Sequence, residues 1–269
     1  MKTFDNYLFH ASAWHKLKTD PKSSADKASG ELSATTKTYL REIYAEEKHS
    51  RKKEIGSKYI EKGKLQEEEA ITLYCRLHKK VFHKNEERLN STIITGEPDI
   101  TDNIEIMKSE IGVDVKCAWD VFTMPTVFDK LKKEYLWQDT CYMHLIPNVK
   151  EWRTAHCLVN APPHMIVEEK KRVYYALGLP AEDDPEYKSK CLEVERAMIF
   201  NMAEFLLHLK THKIQYDFET NLGDWTYDIA LKERVYEFIV KRDDVLTELD
   251  SLESTAISAR LHLNSMIRS

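Results

Sequence analysis

The chain has 269 residues, of which 42% are apolar and 10% aromatic, so its composition favours a globular fold over disorder. A formal net charge of −5 argues against a generally basic protein that coats nucleic acid, but it is compatible with a local basic groove. No run of eighteen apolar residues is present, so no membrane-spanning helix is expected.

The cysteines stand apart in the sequence, at positions 75, 117, 141, 157 and 191. No pair has CxxC spacing, which argues against a zinc ribbon or a thioredoxin-like redox pair. With an odd count and no apolar leader segment, the pattern predicts reduced thiols in a cytoplasm.

The first half of the chain changes from helical to strand patterns. Residues 16–34 are polar and predict a mobile loop. Residues 36–54 and 57–80 have the periodicity of helices. The β-branched run 91–100 ends at a Gly/Pro turn signal, and residues 103–119 alternate between apolar and polar, so both predict strands.

The second half is predicted to be mainly helical. A helix over 127–144 is followed by a strand at 151–160 and a Pro-Pro break at 162–163. Residues 185–210 and 229–265 again show apolar residues at helical spacing. This order predicts an α/β fold with a central mixed β-sheet flanked by helices and with helical additions at both ends.

Asp114 and Lys116 lie on the same face of the predicted strand, because side chains alternate between faces. Taken alone, this DxK pattern fits an ordinary exposed ion pair. Asp99 follows a proline at the end of the preceding β-branched run, which could pair with residues 111–118 as a hairpin. Two carboxylates brought so close would repel each other unless a cation lay between them, and Mg²⁺ prefers such oxygen ligands.

Two helical segments offer further groups. Glu67 falls on the apolar stripe of the helix at 57–80, with Glu69 toward water and Glu68 between them. A carboxylate on a core-facing stripe is costly unless it is paired or metal-bound, although a Glu at the helix edge that reaches solvent is the alternative. Gln138 and Tyr142, four residues apart, share a helix face, where Tyr142 either supports Gln138, contacts substrate or packs in the core.

Together these residues form four motifs in order: Gly63-KLQ-Glu67, Pro98-Asp99, Asp114-V-Lys116 and Gln138-DTC-Tyr142. The set resembles the PD-(D/E)XK nuclease superfamily and, more narrowly, the YqaJ/lambda-exonuclease group of phage recombination exonucleases, which are related to RecB nuclease domains. The resemblance covers roughly residues 8–172. It implies a restriction-endonuclease-like nuclease core at 1–182 and a helical C-terminal extension at 183–269, packed on the same domain.

The resemblance also implies a role for each matching position. The implied ligands of one or two Mg²⁺ ions, for which Mn²⁺ could substitute, are Glu67, Asp99, Asp114 and the backbone carbonyl of Val115. Lys116 would orient or activate the nucleophilic water, and Gln138 would complete the catalytic site. The metal would lower the pKa of its bound water and neutralise charge in the transition state.

Ser12 is a candidate substrate-binding residue. The segment around it resembles a short helix entry of this group, in which a serine helps to capture the 5′-phosphate of a DNA end. Ser12 is predicted to cap this helix, and the exposed N–H groups of a helix N terminus suit an anion. Relatives often carry Arg where this chain has His10, so a simple helix cap is the alternative.

The function implied by the resemblance is Mg²⁺-dependent exonuclease activity on linear double-stranded DNA, from 5′ to 3′, in phage-type recombination. The remaining 3′ strand would pass to a single-strand annealing or strand-exchange recombinase. A ring-shaped homotrimer in the cytoplasm of a bacterial host, without membrane contact, is also implied.

Three other classes of protein are compatible with parts of the sequence. An endonuclease of the same superfamily is one alternative, and it would open closed circles that an exonuclease spares. A catalytically inactive DNA-binding relative is another, although it would have no reason to keep four charged groups converging on one point. A helical structural protein with a coiled tail has the support of a few apolar repeats within 235–263.

Overall fold

The computed structural model describes residues 3–53, 56–219, 222 and 228–268. Within these residues the helices are α1 (Ser24–Ala28), α2 (Ala34–His49), α3 (Lys58–His78), α4 (Lys133–Leu145), α5 (Pro163–Ala176), α6 (Pro185–Met198), α7 (Met202–His212) and α8 (Leu246–Arg268). None of the helices in this part of the chain has the length and apolarity that a bilayer crossing requires.

Over the same residues the strands are β1 (Phe9–His10), β2 (His83–Lys84), β3 (Leu89–Asn90), β4 (Ile94–Gly96), β5 (Ile100–Thr101), β6 (Ile111–Cys117), β7 (Glu151–Cys157) and β8 (Val235–Lys241). The larger sheet has the order β2-β5-β6-β7-β8, in which β6 and β7 are parallel and the other pairs antiparallel. A smaller sheet has the order β1-β4-β3. The predicted α/β class with a central mixed sheet and flanking helices is confirmed.

Helices cover both faces of the larger sheet. Val113 and Val115 of β6 pack with Ala70 and Tyr74 of α3 in one apolar cluster. On the opposite face, Trp152 of β7 packs against residues of α4 in the main core. Because β6 and β7 are covered on both faces, a polar side chain there is held in a largely dry environment.

The main core is completed by the two ends of the chain. The apolar stripe of α8, Leu252, Ala256, Ala259 and Leu263, is almost fully buried at helical spacing. It joins Phe9, Trp14 and other residues near the N terminus in the same cluster. The helical additions at both ends are therefore part of the core that supports α4.

One predicted helix is partly wrong. Residues 235–241 form β8, which pairs with β7 along its whole length, and the C-terminal helix begins only at Leu246. The sequence VYEFIVK is rich in β-branched and aromatic residues, and pairing with a central strand outweighs its accidental helical spacing. The extension at 183–269 is therefore not wholly helical, and the division at residue 182 stays a prediction.

Smaller differences concern helix ends. The predicted helix at 127–144 begins at Lys133, after a short 3₁₀ turn at Met124–Val127 that contains Pro125. The predicted helix at 185–210 divides into α6 and α7, and Asn201 caps α7 by accepting from the Glu204 amide. The predicted loop at 16–34 contains the short helix α1, whose N-cap is Ser23.

Gly112 of β6 provides a test of how tightly this region is packed. A Cβ at this position would overlap the ring of the fully buried Trp152. Gly112→Ala is therefore expected to lower the free energy of unfolding by about 1–3 kcal/mol, as overpacking typically does. The measurement is urea denaturation followed by circular dichroism.

Gly63→Ala is the matched control, because the space around Gly63 in α3 is open. In a helix interior, Ala at this position should raise stability by about 0.5–1 kcal/mol. Equal effects of the two substitutions would contradict the close approach of Trp152 to β6.

Candidate active site

β6 presents Asp114 and Lys116 on the face of the sheet that α4 covers. Asp114 is only 1% exposed, and its Oδ2 is in direct contact with Nζ of Lys116. In the parallel register of β6 and β7, Asp114 lies beside Thr154 and Lys116 beside His156. The strand period therefore places the acid and the amine together, on the side opposite the apolar cluster under α3.

Asp99 reaches the same place through the pairing of β5 with β6. Ile100 is the partner of Val113, so Asp99, the residue directly before β5, lies level with Asp114. Its Oδ2 accepts a hydrogen bond of 2.7 Å from the backbone N–H of Val115. The structure thus brings the Pro-Asp and DxK segments together, with the Val115 peptide between them.

The charges of these groups affect one another. Burial raises the pKa of Asp99 well above its usual range, and the carboxylates of Asp114 and Glu67 raise it further. Burial lowers the pKa of Lys116, but Asp114 and Asp99 more than compensate, so the net shift is upward. Lys116 is therefore a full ammonium ion at neutral pH.

Glu67 lies on α3 at the edge of this group. It is half-buried, and its Oε1 is 3.1 Å from Nζ of Lys84, which also contacts Glu68. Glu68 is much more exposed than Glu67. Within the described residues, no three His, Cys, Asp or Glu side chains form a compact group able to hold a metal ion as they stand.

The phase of α3 differs in detail from the prediction. Ile60, seven residues before Glu67 on the predicted apolar stripe, is 41% exposed, whereas Lys62 and Gln66 are buried. Glu69 does not point freely to water. Its Oε1 is 3.4 Å from Nδ1 of His208, and burial raises its pKa.

Gln138 and Tyr142 of α4 link the two acidic segments. Nε2 of Gln138 donates to the Tyr142 hydroxyl at 3.0 Å and to Oδ1 of Asp114 at 3.4 Å, and its Oε1 accepts from Lys116 at 3.5 Å. The Tyr142 hydroxyl in turn donates to the backbone oxygen of Glu97 at 3.1 Å. Tyr142 is buried, so its place in the structure is that of a support for Gln138.

The predicted helix cap at Ser12 is wrong. The helix is a 3₁₀ helix of six residues, Ala11–Lys16, whose N-cap position is His10, and no side chain caps it. The helix begins directly after β1, which ends at His10, so Ser12 lies inside the first turn, where it is exposed. Burial lowers the pKa of His10, and so do the nearby cations Arg88 and Lys52.

Two residues near the site were not found from the sequence. Tyr135 lies three residues before Gln138 on α4, and Nζ of Lys116 is 5.3 Å from its ring centroid. Its spacing from Gln138 was a usable signal, because residues three apart share a helix face. Lys62 gave no signal, since a lysine in an amphipathic helix is normally solvated.

Lys62 is fully buried and holds the end of β6. Its Nζ donates to the backbone oxygens of Ala118 and Trp119, at 2.7 and 2.8 Å. Burial lowers its pKa to about 8. These bonds fix the chain just after Lys116 and thereby position the end of β6.

Asp139 is fully buried beside Gln138. Burial raises its pKa well above the usual range, as does the neighbouring charge of Asp114. Its Oδ2 accepts a hydrogen bond of 2.8 Å from the Thr154 hydroxyl. The folded protein therefore binds a proton at this position over a pH range in which the unfolded chain has lost it.

Asp139→Asn should remove this pH dependence. Because the folded pKa lies above the unfolded one, stability is lost as pH rises through the folded pKa. The free energy of unfolding of the variant minus that of the parent is therefore expected to be larger at pH 8 than at pH 5, which means that the variant gains relative stability as pH rises. Urea denaturation at both pH values measures it, with the exposed Asp183→Asn as control. A difference that is the same at both pH values would contradict the raised pKa.

The sheet order, and the site shared by β5, β6, α3 and α4, define a mixed α/β protein whose acidic groups meet on a central strand. More particularly, the chain has the fold of a phage-related exonuclease from Haemophilus somnus 129PT, with 24% identity, a TM-score of 0.66, and coverage of 98% of this chain and 96% of that one. The predicted resemblance is confirmed at the level of the fold.

The alkaline exonuclease LHK-Exo from Laribacter hongkongensis is also similar, at 11% identity and a TM-score of 0.55, with 98% of this chain and 91% of that one covered. The structure of LHK-Exo in complex with dAMP gives 12% identity and a TM-score of 0.54, with coverage of 97% and 90%. No protein-family profile and no curated protein matches the sequence.

Proposed function

We propose that this chain is a metal-dependent DNA exonuclease of the YqaJ/lambda-exonuclease-like group. The observation that carries the proposal is the meeting of Asp99, Asp114 and Lys116 at one point of a sheet with this fold. The exonucleases that share the fold over nearly the whole chain support the same activity, and the LHK-Exo complex with dAMP supports binding of nucleotides.

The residues fit a Mg²⁺ site. Mg²⁺ is usually held by one or two carboxylates with water and substrate phosphate, so a ready-made cage of three acids is not required. Asp99 and Asp114 would supply the carboxylates, with the Val115 carbonyl beside them. Glu67 is close enough to raise the pKa of Asp99, so these acids repel one another, and a divalent cation would relieve this repulsion. Mn²⁺ should substitute.

The bound metal would supply a water of lowered pKa and would neutralise charge on the phosphate. The chain's own residues perform the remaining tasks. Lys116, a full ammonium ion, acts as a fixed positive charge toward the water or the phosphate rather than as a base. Gln138 holds Lys116 and Asp114 in register, and Tyr142 holds Gln138.

The proposed substrate is linear double-stranded DNA, degraded from 5′ to 3′ to leave a 3′ strand for a single-strand annealing or strand-exchange recombinase. Ser12 would contact the terminal phosphate, and the cations Arg88 and Lys52 near His10 provide favourable charge for that contact. A homotrimer in the cytoplasm of a bacterial host completes the proposal.

Loss of Lys116 is the first test. Lys116→Ala should slow cleavage of an end-labelled linear duplex in Mg²⁺ at least about a hundredfold, or about 3 kcal/mol, the scale for losing one key electrostatic group. EDTA should abolish cleavage, and readdition of Mg²⁺ or Mn²⁺ should restore it. The exposed Lys108→Ala is the control.

Closed circular DNA in the same assay distinguishes the two kinds of nuclease. A circle that persists while the linear duplex disappears supports an exonuclease, and an opened circle would show an endonuclease. Equal rates for Lys116→Ala and the parent would remove Lys116 from the mechanism. Cleavage in EDTA would contradict the proposed requirement for a divalent metal ion.

Glu67 and its neighbour Glu68 provide a matched pair, because both contact Lys84, whereas Glu67 is the less exposed and raises the pKa of Asp99. Glu67→Gln is expected to lower the cleavage rate by about a hundredfold or more, on the scale of a lost electrostatic group. Glu68→Gln should change it less than about threefold, as surface substitutions rarely do more. The Mg²⁺ concentration for half-maximal rate should rise only for Glu67→Gln. If Glu68→Gln slowed cleavage and Glu67→Gln did not, the residue that α3 contributes to the site would be Glu68.

A further inference from the structure

A continuous row of rings leads away from Lys116 across the sheet. Tyr135, beside Lys116, is followed by His156 at a centroid distance of 5.6 Å, and His156 by Phe238 at 6.5 Å. Phe238 is 5.2 Å from Tyr236, which is 4.5 Å from Phe128. These five residues form an aromatic track.

Strand register explains why the track starts at the candidate site. Lys116 is the partner of His156 on β7, and His156 is the partner of Tyr236 on β8. Partners in neighbouring strands share a face, and Phe238, two residues after Tyr236, shares it as well. The face that carries the catalytic groups therefore continues as an aromatic surface to the edge of the sheet.

The track is open to solvent along much of its length. Phe128 is 43% exposed, and Tyr135, Tyr236 and Phe238 are partly exposed. Only His156 is buried. Packing alone does not require so many large rings at a solvent boundary, since core aromatics gain most when they are fully covered.

Positive charge accompanies the rings. The segment 129–133 reads DKLKK, in a chain whose net charge is −5. The half-exposed side chain of Lys132 places Nζ 5.6 Å from the Tyr135 ring centroid. Aromatic rings beside lysines are the combination by which proteins bind single-stranded nucleic acid, with bases stacked on rings and phosphates near cations.

We propose that the aromatic track binds the unpaired bases of a single DNA strand next to the catalytic lysine. The proposal rests on the proposed nuclease function, whose reaction on a duplex would leave such a strand beside the site. A single strand is favoured over a duplex because the bases inside a duplex are already stacked on both faces, whereas each base of a single strand can stack on a ring. Stacking of this kind tolerates any base sequence.

Phe128 is the best position for a test, because it is the most exposed ring and lies farthest along the track from Lys116. Phe128→Leu keeps apolar volume but removes the stacking face, and the backbone oxygen that accepts from the Tyr236 hydroxyl is retained. Binding of fluorescein-labelled oligodeoxythymidine, measured by anisotropy in EDTA, should weaken at least about fivefold, the lower bound for loss of one base–aromatic stack. Phe128→Trp should bind as the parent does.

Tyr175→Leu is the matched control, because Tyr175 on α5 is 69% exposed and lies outside the track. An oligonucleotide of the same length with abasic sites is the second control. The parent should bind it at least as weakly as Phe128→Leu binds oligodeoxythymidine, and Phe128→Leu should lose less affinity for the abasic strand than for oligodeoxythymidine.

Three results would overturn the proposal: no measurable binding of oligodeoxythymidine by the parent, unchanged affinity in Phe128→Leu, or an equal loss for normal and abasic strands. None of them bears on the cleavage assay with Lys116→Ala. Conversely, a parent protein that binds single strands through Phe128 but cleaves no DNA would support the track and end the proposed nuclease function.

Discussion

The hydrogen bond from the Val115 amide to Asp99 is the constraint on which the site depends. It ties the carboxylate to the middle of β6, so that Asp99 stays close to Asp114 although burial and the charge of Asp114 both disfavour the anionic form of Asp99. A buried like-charge pair persists only when the surrounding structure fixes it. The antiparallel pairing of β5 with β6, the close fit of Gly112 under Trp152, and the bonds from Lys62 at the end of β6 provide that fixation.

Two lysines act as internal counter-ions for this excess of acid. Lys116 lies against Asp114, and Lys84 lies between Glu67 and Glu68. In the proposed function, a divalent cation would replace part of this compensation, and Glu67 could turn from Lys84 toward the metal. The exposed Lys84–Glu pairs are weak because water screens them, whereas the largely buried Asp114–Lys116 pair is not easily separated. During the proposed reaction Lys116 would therefore stay in contact with Asp114, whereas Lys84 would separate readily from Glu67.

The local parts of this arrangement were accessible from the sequence, and the non-local parts were not. Strand alternation fixed the shared face of Asp114 and Lys116, and the Pro-Asp signal indicated the approach of Asp99. The predicted hairpin of the β-branched run with β6 is mostly wrong, because Ile94–Gly96 pairs in the smaller sheet and only Ile100–Thr101 pairs with β6. Lys62 was missed because its two carbonyl partners come from a segment more than fifty residues away. β8 was mistaken for helix because VYEFIVK satisfies both periods over seven residues, and only its pairing with β7 decides between them.

The same register accounts for both the charged groups of the candidate site and the rings beside them. A parallel pair followed by an antiparallel pair keeps every second residue of β6, β7 and β8 on one face, so Lys116 on β6 necessarily has neighbours on β7 and β8 at its own level. Here those neighbours are His156 and Tyr236. Burial, Lys116 and Lys132 lower the pKa of His156 to about 4, so its ring is neutral and adds no further charge beside the lysine. The residues on this face of the sheet thus change from charged to aromatic within two strands. A surface of this kind suits a nucleic acid strand, with a phosphate at the charged end and bases at the aromatic end.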